Sequence, residues 1–292
     1  MKKILFVANM KKDKDLFYSK RILLNIVEKK VKVFVDTTEL VFSDKIDLVS
    51  KKTLKEIDLM LVLGGDGTVL TNARKYEKYD IPIVCINLGR VGALAVAELD
   101  DYETYVDKYL NDDFVIIDHL TLECEIAYAN GKNKKFIAFN DVVVHRGSSP
   151  KILGVNIAVN NSDFSEVYTD GLIVATPNGS SAYNLSAGGP LLSISSGCYV
   201  ITPICPQSRT FSSLVVSKDD IVHLTIRRNE NVGKNQNEVI VDGDVRYPVN
   251  DNDVVLIKKA EKNLKLIQFS QRKSLYESVN KAIVSFNRKG EK

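Results

Sequence analysis

The 292-residue chain is predicted to form an α/β domain followed by an all-β domain. Apolar runs alternate with helical segments up to about residue 115, which is typical of a parallel sheet covered by helices. Short strand-like runs without long helices then follow, which is typical of a sandwich or barrel. Two glycine turns follow successive strands of the first part. Both are therefore expected at the carboxyl edge of the parallel sheet, where ligands collect.

The α/β part is predicted from four strands and the helices between them. We expect strands at 3–9 (KILFVAN), 31–35 (VKVFV), 57–63 (IDLMLVL) and 81–87 (IPIVCIN), with helices at 15–28, from Val69 onward and at 100–110. The third strand is an apolar run with Asp58 as its one interior charge, as in a buried parallel strand.

The β-rich part contains nine short strand-like runs. They lie at 120–128, 135–144, 155–159, 172–176, 199–203, 214–216, 223–227, 238–241 and 254–258. Turn signals such as Asn130-Gly131 and Asp242-Gly243 separate some of them. Several runs alternate apolar with polar residues, so one face of the strand is expected to be buried and the other wet.

These patterns divide the chain into three segments. We expect the α/β domain at 1–118, the β-rich domain at 119–270 and a helix at 271–292 that packs back on the first domain. Ser274 and Glu277 fit a helix-capping box, and an apolar stripe follows them.

Composition excludes several classes of protein. The chain is 45% hydrophobic and 26% charged, and its net charge of +3 is too small to indicate nucleic-acid binding. No apolar run approaches the roughly 20 residues of a membrane span. No CxxC pair is formed by Cys85, Cys124, Cys198 and Cys205, and the three histidines are isolated. We therefore expect reduced thiols, a cytoplasmic location and no dedicated metal site.

The first glycine turn, Gly64-Gly65-Asp66-Gly67-Thr68, ends the third strand and begins a helix. Its glycines let backbone N–H groups approach a ligand, and a helix N-terminus favours a phosphate. A phosphate would repel the Asp66 carboxylate, so that carboxylate is expected to serve a metal, a hydroxyl or both. A plain tight turn is the alternative interpretation.

A second glycine turn, Asn87–Gly92, ends the next strand and is expected at the same edge of the sheet. In the β half, Thr169–Pro190 (TDGLIVATPNGSSAYNLSAGGP) has Asp170 as its one charge and is rich in hydroxyls and glycines. Such a segment can lay polar groups along a nucleoside. Its apolar residues argue against the alternative of a solvated surface loop.

These motifs resemble those of the NAD kinase family, which transfers a phosphate from ATP to the 2′-hydroxyl of the adenosine ribose of NAD. The matching segments are Gly64–Thr68, Asn87–Gly92, Asn140-Asp141 and Asp170–Pro190, in the family's order. The GGDGT turn is shared with diacylglycerol kinases, sphingosine kinases and phosphofructokinases, whereas the last segment resembles NAD kinases specifically. The resemblance implies a Rossmann-like first domain, a β-sandwich-like second domain, magnesium or another divalent cation with ATP, and a homodimer or homotetramer.

The resemblance also implies roles for individual residues. Asp66 matches the catalytic aspartate that accepts the proton of the attacking hydroxyl. Such a role fits phosphoryl transfer, which needs alignment of the reacting groups and neutralisation of charge above all. Phosphate or ATP contacts are expected at Gly64, Gly65, Gly67, Thr68, Asn87 and Gly89. NAD contacts are expected at Asp66, Gly67, Asn140, Asp141, Lys151, Asp170, Asn178, Ser181, Ala182, Tyr183, Asn184, Leu185, Ser186 and Asp244. Whether Lys151 or Arg146 reaches a phosphate or stays solvated is open.

Several positions depart from the family's pattern, among them Ser181, where Thr is more usual, and Ser212-Ser213, where Arg-Pro is common. Asp141 stands where Glu is usual, and Ala93 stands where an aromatic residue usually follows the second turn. Gln207 stands where His is frequent, and Asp244 where Gln is frequent. Together these departures indicate a divergent member, but Asp66 and the glycine turn are kept.

Two other functions compete with this interpretation. A lipid kinase of the same superfamily would need an apolar pocket or a membrane-docking face, which the polar Thr169–Pro190 segment disfavours. A non-catalytic NAD sensor would gain nothing from Asp66 beside phosphates. Loss of NADP formation in an Asp66→Asn protein would separate the kinase from the sensor.

Overall fold

The computed structural model describes residues 1–89, 94, 97–208, 212–227 and 237–269. The chain divides into two compact units, Met1–Asp118 with the segment that begins at Leu264, and His119–Asn263. The expected C-terminal helix at 271–292 lies outside the described residues. So do Arg90, Val91 and Gly92 of the predicted second glycine turn, and Ala93 after it.

The elements are numbered along the chain. The first part contains β1 (Lys3–Ala8), α1 (Phe17–Val27), β2 (Lys32–Val35), β3 (Ile46–Leu48), β4 (Leu59–Gly64), α2 (Asp66–Tyr76), β5 (Ile83–Asn87), β6 (Ala97–Glu98), α3 (Tyr102–Leu110) and β7 (Val115–His119). The second unit contains β8 (Leu122–Ala127), β9 (Asn133–Ala138), β10 (Asp141–His145), β11 (Leu153–Val159), β12 (Ser162–Thr169), β13 (Gly171–Ala175), α4 (Tyr183–Ser186), β14 (Cys198–Ile204), β15 (Leu214–Ser217), β16 (Val222–Arg227), β17 (Asn237–Val241), β18 (Val245–Val249) and β19 (Val254–Lys259). The last described strand is β20 (Leu264–Gln268).

The first unit is built on one sheet with the strand order β3-β2-β1-β4-β5-β20-β7, and β6 pairs with β5. The pairs that join β1, β2, β3, β4 and β5 are all parallel, and β20 also runs parallel to β5. This confirms the predicted α/β domain with a parallel sheet. The carboxyl ends of β4 and β5 lie side by side, because Gly64 is the register partner of Asn87.

Apolar side chains from the sheet and from two helices form the core of the first unit. Ile4, Phe6 and Leu61 of the strands pack with Ile22 of α1 and Val106 of α3. Leu5 and Val62, which alternate with these residues along the strands, are buried as well. Burial on both faces explains why β1 and β4 are continuous apolar runs.

The second unit is a sandwich of two antiparallel sheets. Their strand orders are β15-β14-β13-β10-β17-β18 and β12-β11-β16-β19-β8-β9. One core cluster contains Val142 and Val174 from the first sheet together with Val155 and Leu224 from the second. The all-β prediction is therefore confirmed. On the outer face of the first sheet, Val143 of β10 and Ile173 of β13 pack with Leu192 in a second apolar cluster.

Several elements differ from the sequence prediction. The run expected at 135–144 is two strands, because Phe139 and Asn140 interrupt it between β9 and β10. The strands β3, β6, β7, β12, β18 and β20 were not predicted. Since β20 pairs with β5, Leu264–Gln268 belongs to the first unit, whereas the sequence placed residues up to 270 in the β-rich domain.

None of the helices in the described ranges is long and apolar enough to cross a membrane.

Candidate active site

The first glycine turn joins β4 directly to α2. Gly64 ends the strand, Gly65 is the N-cap with an extended backbone, and Asp66 is the first helical residue. Thr68 N and Val69 N both donate to the Gly65 carbonyl oxygen, at 2.8 and 3.1 Å. The turn therefore presents the start of a helix, where N–H donors and the helix dipole favour an anion.

Only glycine fits at the first position of this turn. A Cβ on Gly64 would lie 2.5 Å from Thr68 Oγ1. The same hydroxyl accepts a hydrogen bond from Asn9 Nδ2 at 3.1 Å, which ties the end of β1 to the first turn of α2. At Gly67 a Cβ would meet nothing within 4 Å, so that position is open to a ligand.

Asp66 is held by a backbone contact at the mouth of the turn. Its Oδ1 accepts a hydrogen bond from Leu94 N at 3.1 Å. The carboxylate also acts on the Cys85 thiol: burial, together with the negative charge of Asp66, raises the pKa of Cys85 to about 12. Cys85 is thus a neutral core residue behind the turn.

The described part of the second glycine turn, 87–89, lies beside the first at the carboxyl edge of the sheet, the edge where both were expected. Leu88 N donates to the Gly64 carbonyl oxygen at 2.9 Å. Asn87 is buried and its Nδ2 donates to the Gly89 carbonyl oxygen at 2.8 Å, while its Oδ1 accepts no hydrogen bond from the described residues. Gly89 has φ of +124°, a conformation that favours glycine.

In the second unit, the Asn140-Asp141 pair forms a turn that is held by the carboxylate of Asp242. Asp242 Oδ1 accepts hydrogen bonds from Phe139 N at 2.9 Å, Asn140 N at 2.7 Å and Asp141 N at 3.3 Å. Asp242 lies in the hairpin turn between β17 and β18 with φ of +49°. Three N–H donors on one oxygen fix the backbone of the pair.

Asn140 also contacts the segment that the sequence singled out. Its Oδ1 accepts a hydrogen bond from Asn178 Nδ2 at 2.6 Å, and its carbonyl oxygen accepts one from Thr176 N at 2.8 Å. Gly179 packs against the Asn140 backbone with no room for a side chain. The two predicted motifs are therefore one packed unit.

Asp141 is buried and close to a second carboxylate. Burial, together with the negative charge of Asp242, raises the pKa of Asp141 to about 7. Near neutral pH this carboxyl is thus divided between its protonated and ionised forms. It can donate a hydrogen bond as well as accept one, which a fully ionised carboxylate cannot do.

Asp170 forms an ion pair at the start of β13. Arg146 Nε donates to Asp170 Oδ1 at 2.7 Å, and Arg146 also donates to the carbonyl oxygen of Ser149. Burial raises the pKa of Tyr183, and the nearby Cys205, Asp141 and Asp170 raise it further. Asp141 and Asp170 therefore both act on the environment of Tyr183.

The helical turn after Asn178 exposes some of its predicted contacts and buries others. Ala182, Tyr183 and Ser186 are exposed, and Ser181 and Leu185 are partly buried. Asn184 is fully buried: its Nδ2 donates to the carbonyl oxygens of Ser180 and Pro190, and its Oδ1 accepts from Thr202 Oγ1. The Asn184 side chain thus holds the segment in place.

The remaining predicted residues lie at the surface. Lys151 is exposed and follows the Arg146–Ser149 turn, and Asp244 is exposed next to Asp242. Sequence reasoning missed three structural partners of the site, namely Asn9, Lys12 and Asp242. Asp242 was interpreted only as a turn residue, and Asn9 lies 59 positions from Thr68, so no local pattern revealed either contact.

The two units offer different chemistry. The glycine turns of the first unit present bare backbone, a helix N-terminus and one carboxylate, which suits phosphate groups and a hydroxyl that loses its proton. The second unit presents the side chains of Asn140, Asp141, Asp170 and Asn178, which suit the hydroxyls and amino groups of a nucleoside.

Comparisons with known families agree with this division. The ATP-NAD kinase N-terminal domain matches residues 4–114, and the ATP-NAD kinase C-terminal domain matches residues 139–269. The NAD kinase of Lachnoclostridium phytofermentans is 34% identical over 271 residues, covering 92% of this chain and 94% of that protein. The NAD kinase of Thermoanaerobacter pseudethanolicus is 33% identical over 273 residues, with the same coverage.

Solved structures share the fold. Yeast NADH kinase complexed with NADH has a TM-score of 0.87 at 20% identity, covering 98% of this chain and 88% of that one. An NAD kinase from Archaeoglobus fulgidus in complex with ATP has a TM-score of 0.74 at 24% identity, covering 95% and 98%. The two domain matches and the identity to the bacterial relatives show that the chain belongs to the NAD kinase family, whose members phosphorylate NAD to NADP.

Proposed function

We propose that this enzyme transfers a phosphate from ATP to the 2′-hydroxyl of the adenosine ribose of NAD, and that Asp66 accepts the proton of that hydroxyl. The observation that carries the proposal is the pair of glycine turns joined by the Gly64–Asn87 register, with Asp66 at the first position of α2. The N–H groups of the glycine turns can bind phosphates, and the Asp66 carboxylate beside them can orient one hydroxyl.

In this mechanism the proton of the hydroxyl moves to Asp66 during the attack on phosphorus and not before it. A carboxylate is too weak a base to ionise a ribose hydroxyl before attack, so Asp66 orients the hydroxyl and takes its proton as the new P–O bond forms. The hydrogen bond from Leu94 N to Asp66 Oδ1 helps to fix the orientation of this carboxylate. The glycine N–H groups stabilise negative charge on the phosphates.

We assign recognition of NAD to the polar groups of the second unit. Asn140, Asp141 and Asn178 are held by Asp242 and Gly179, so their positions are fixed before substrate arrives. Asp170 is oriented by Arg146. The half-protonated state of Asp141 lets it serve either a donor or an acceptor of the dinucleotide.

The family implies a divalent cation with ATP, and the residues present fit one carried by the nucleotide. Within the described ranges no three His, Cys, Asp or Glu side chains converge as a metal cage. Magnesium is usually held by phosphate oxygens, water and one or two carboxylates, and Asp66 would supply the protein oxygen. When bound, the cation neutralises charge on the transferring phosphate.

The cellular setting is also part of the proposal. Cys85, Cys124, Cys198 and Cys205 are free thiols, which supports a reducing, cytoplasmic location. We propose a homodimer or homotetramer from the family resemblance. Size-exclusion chromatography with light scattering would measure the assembly, and a monomer would contradict that part.

The test of the proposed reaction is NADP formation by purified protein with ATP, magnesium and NAD. We expect Asp66→Asn to reduce turnover at least about 100-fold, as loss of a general base does, while NAD still binds by calorimetry. Asp113→Asn is the matched control, because Asp113 is an exposed aspartate of the same unit. Unchanged turnover in Asp66→Asn would remove Asp66 from the reaction, and absence of NADP with wild-type protein would remove the kinase assignment.

A further inference from the structure

Lys12 lies against both glycine turns, although no motif includes it. A Cβ on Gly65 would lie 4.0 Å from Lys12 Nζ, and a Cβ on Gly89 would lie 3.9 Å from it. The two glycines are separated in sequence by the whole of α2 and β5, so the ammonium lies where the turns come together. We infer that Lys12 binds the phosphate groups of the phosphate donor, an inference that rests on the proposed kinase function.

The backbone of Lys12 is fixed by Asn9, which also contacts the first turn. Lys12 N donates to the carbonyl oxygen of Asn9 at 2.9 Å and lies 3.3 Å from Asn9 Oδ1. Through Nδ2 the same Asn9 side chain donates to Thr68 Oγ1. One asparagine therefore links the loop that carries Lys12 to the helix that begins at Asp66.

Asp13 fixes the loop from the other side. Its side chain is buried, and its carboxylate accepts hydrogen bonds from Tyr18 N at 3.0 Å and Ser19 N at 2.8 Å at the start of α1. Asp13 N donates to the Asn9 carbonyl oxygen at 3.0 Å. The loop between β1 and α1 is thus tied at both ends, and only the flexible stem of Lys12 remains to adjust.

The charge of Lys12 completes the phosphate-binding surface of the first unit. Within the described part of the chain its ammonium forms no ion pair, and the side chain is exposed. Helix N–H donors contribute only partial charges, whereas an ammonium contributes a full one and offsets the repulsion between Asp66 and a phosphate. The ammonium lies close to Gly65 and Gly89, two positions without side chains where a bound phosphate would meet it.

The chemistry of the two units identifies the phosphates in question. The first unit offers backbone donors and this cation, while the amide and carboxyl side chains suited to nucleoside recognition belong to the second unit. A triphosphate carries more negative charge than the pyrophosphate of a dinucleotide. Lys12 is therefore assigned to the donor's phosphates and not to those of NAD.

Steady-state kinetics of three variants test the assignment. Lys12→Met should raise the KM for ATP about tenfold or more, the usual range for a lost charge-assisted contact, while the KM for NAD stays within about twofold. Lys12→Arg should restore most of the ATP affinity because it keeps the charge. Lys11→Met, which removes the neighbouring exposed charge, should match wild type, and all three should share its thermal midpoint.

Calorimetry with magnesium-ATP and with tripolyphosphate separates this assignment from the reaction itself. We expect both ligands to bind wild type more tightly than Lys12→Met, even if no NADP forms, because binding does not require turnover. Equal affinities in wild type and Lys12→Met, or a rise in the KM for NAD alone, would overturn the assignment. Failure of wild type to bind either ligand would also overturn it.

Discussion

Gly179 packs against the backbone of Asn140 so closely that a Cβ at position 179 would overlap the Asn140 carbonyl oxygen. This contact joins the Asn140-Asp141 turn to the segment that begins with Asn178. It places Asn178 Nδ2 within 2.6 Å of Asn140 Oδ1. The two polar side chains are therefore positioned by a glycine that touches no ligand itself.

We predict that Gly179→Ala destabilises the second unit and weakens NAD binding. The methyl group must displace the Asn140 backbone, and such overpacking costs about 1–3 kcal/mol of unfolding free energy. Thermal unfolding and the KM for NAD measure the two effects. Gly131→Ala is the control: alanine at its φ of +80° should cost stability through backbone strain but leave the KM for NAD unchanged. A normal KM in Gly179→Ala would contradict the positioning role.

Gly64→Ala should lower the stability of the protein, whereas Gly65→Ala should raise the KM for ATP. At position 64 the new Cβ would lie 2.5 Å from Thr68 Oγ1, so the variant should lose about 1–3 kcal/mol of unfolding free energy. At position 65 the backbone is extended and the nearest group is Lys12 Nζ at 4.0 Å, so alanine fits. Its methyl group fills the space expected for a donor phosphate, and the KM for ATP should rise roughly tenfold. A normal KM for ATP in Gly65→Ala would contradict a phosphate at that turn.

Asp242→Ala should disorder the Asn140-Asp141 turn. The change leaves the backbone N–H groups of Phe139, Asn140 and Asp141 without their acceptor, and unsatisfied buried donors cost about 1–3 kcal/mol. The thermal midpoint should fall and the KM for NAD should rise, whereas the KM for ATP should change little. Asp163→Ala is the matched control, since Asp163 is exposed in the same unit. Equal effects on both KM values would indicate general unfolding.

The raised pKa of Asp141 predicts a pH-dependent stability. The folded protein holds the proton of this carboxyl up to about pH 7, whereas the unfolded chain loses it near pH 4. Between these values the folded state binds more protons, so the Asp141 contribution to the unfolding free energy falls as pH rises. Asp141→Asn removes this dependence, and its thermal midpoint relative to wild type should be higher at pH 8 than at pH 5, by roughly 2 °C or more. The same difference at both pH values would show that Asp141 is not perturbed, and Asp163→Asn provides the baseline.

Sequence reasoning predicted the fold wherever a signal is local. The apolar run of β4, the Gly64–Thr68 turn and the start of α2 are contiguous, and the structure confirms the parallel sheet they predict. The expectation that both glycine turns lie at the carboxyl edge followed from the parallel arrangement of the strands, and the Gly64–Asn87 register agrees with it. The roles of the individual site residues stay predictions for the experiments above.

The strands and contacts that were missed depend on distant partners. β12 lies at a sheet edge with most of its side chains exposed, so its sequence lacks an apolar alternation. Asp242 acts on the backbone of residues about 100 positions earlier, and only the folded chain brings them together. The position of Lys12 could not be predicted for the same reason, since its neighbours Gly65 and Gly89 come from two later turns.

The position of β20 constrains the order in which the protein is assembled during synthesis. This strand lies between β5 and β7, although the chain makes the whole second unit before it reaches Leu264. Until then β6 is the one described strand that covers this edge of β5, at Ile86 and Asn87, so the edge near Ile83 stays open and β7 lacks its neighbour. A ribosome-bound fragment that stops before residue 264 therefore exposes a sheet edge open to wrong partners, and completion of the first unit must wait for translation of the second.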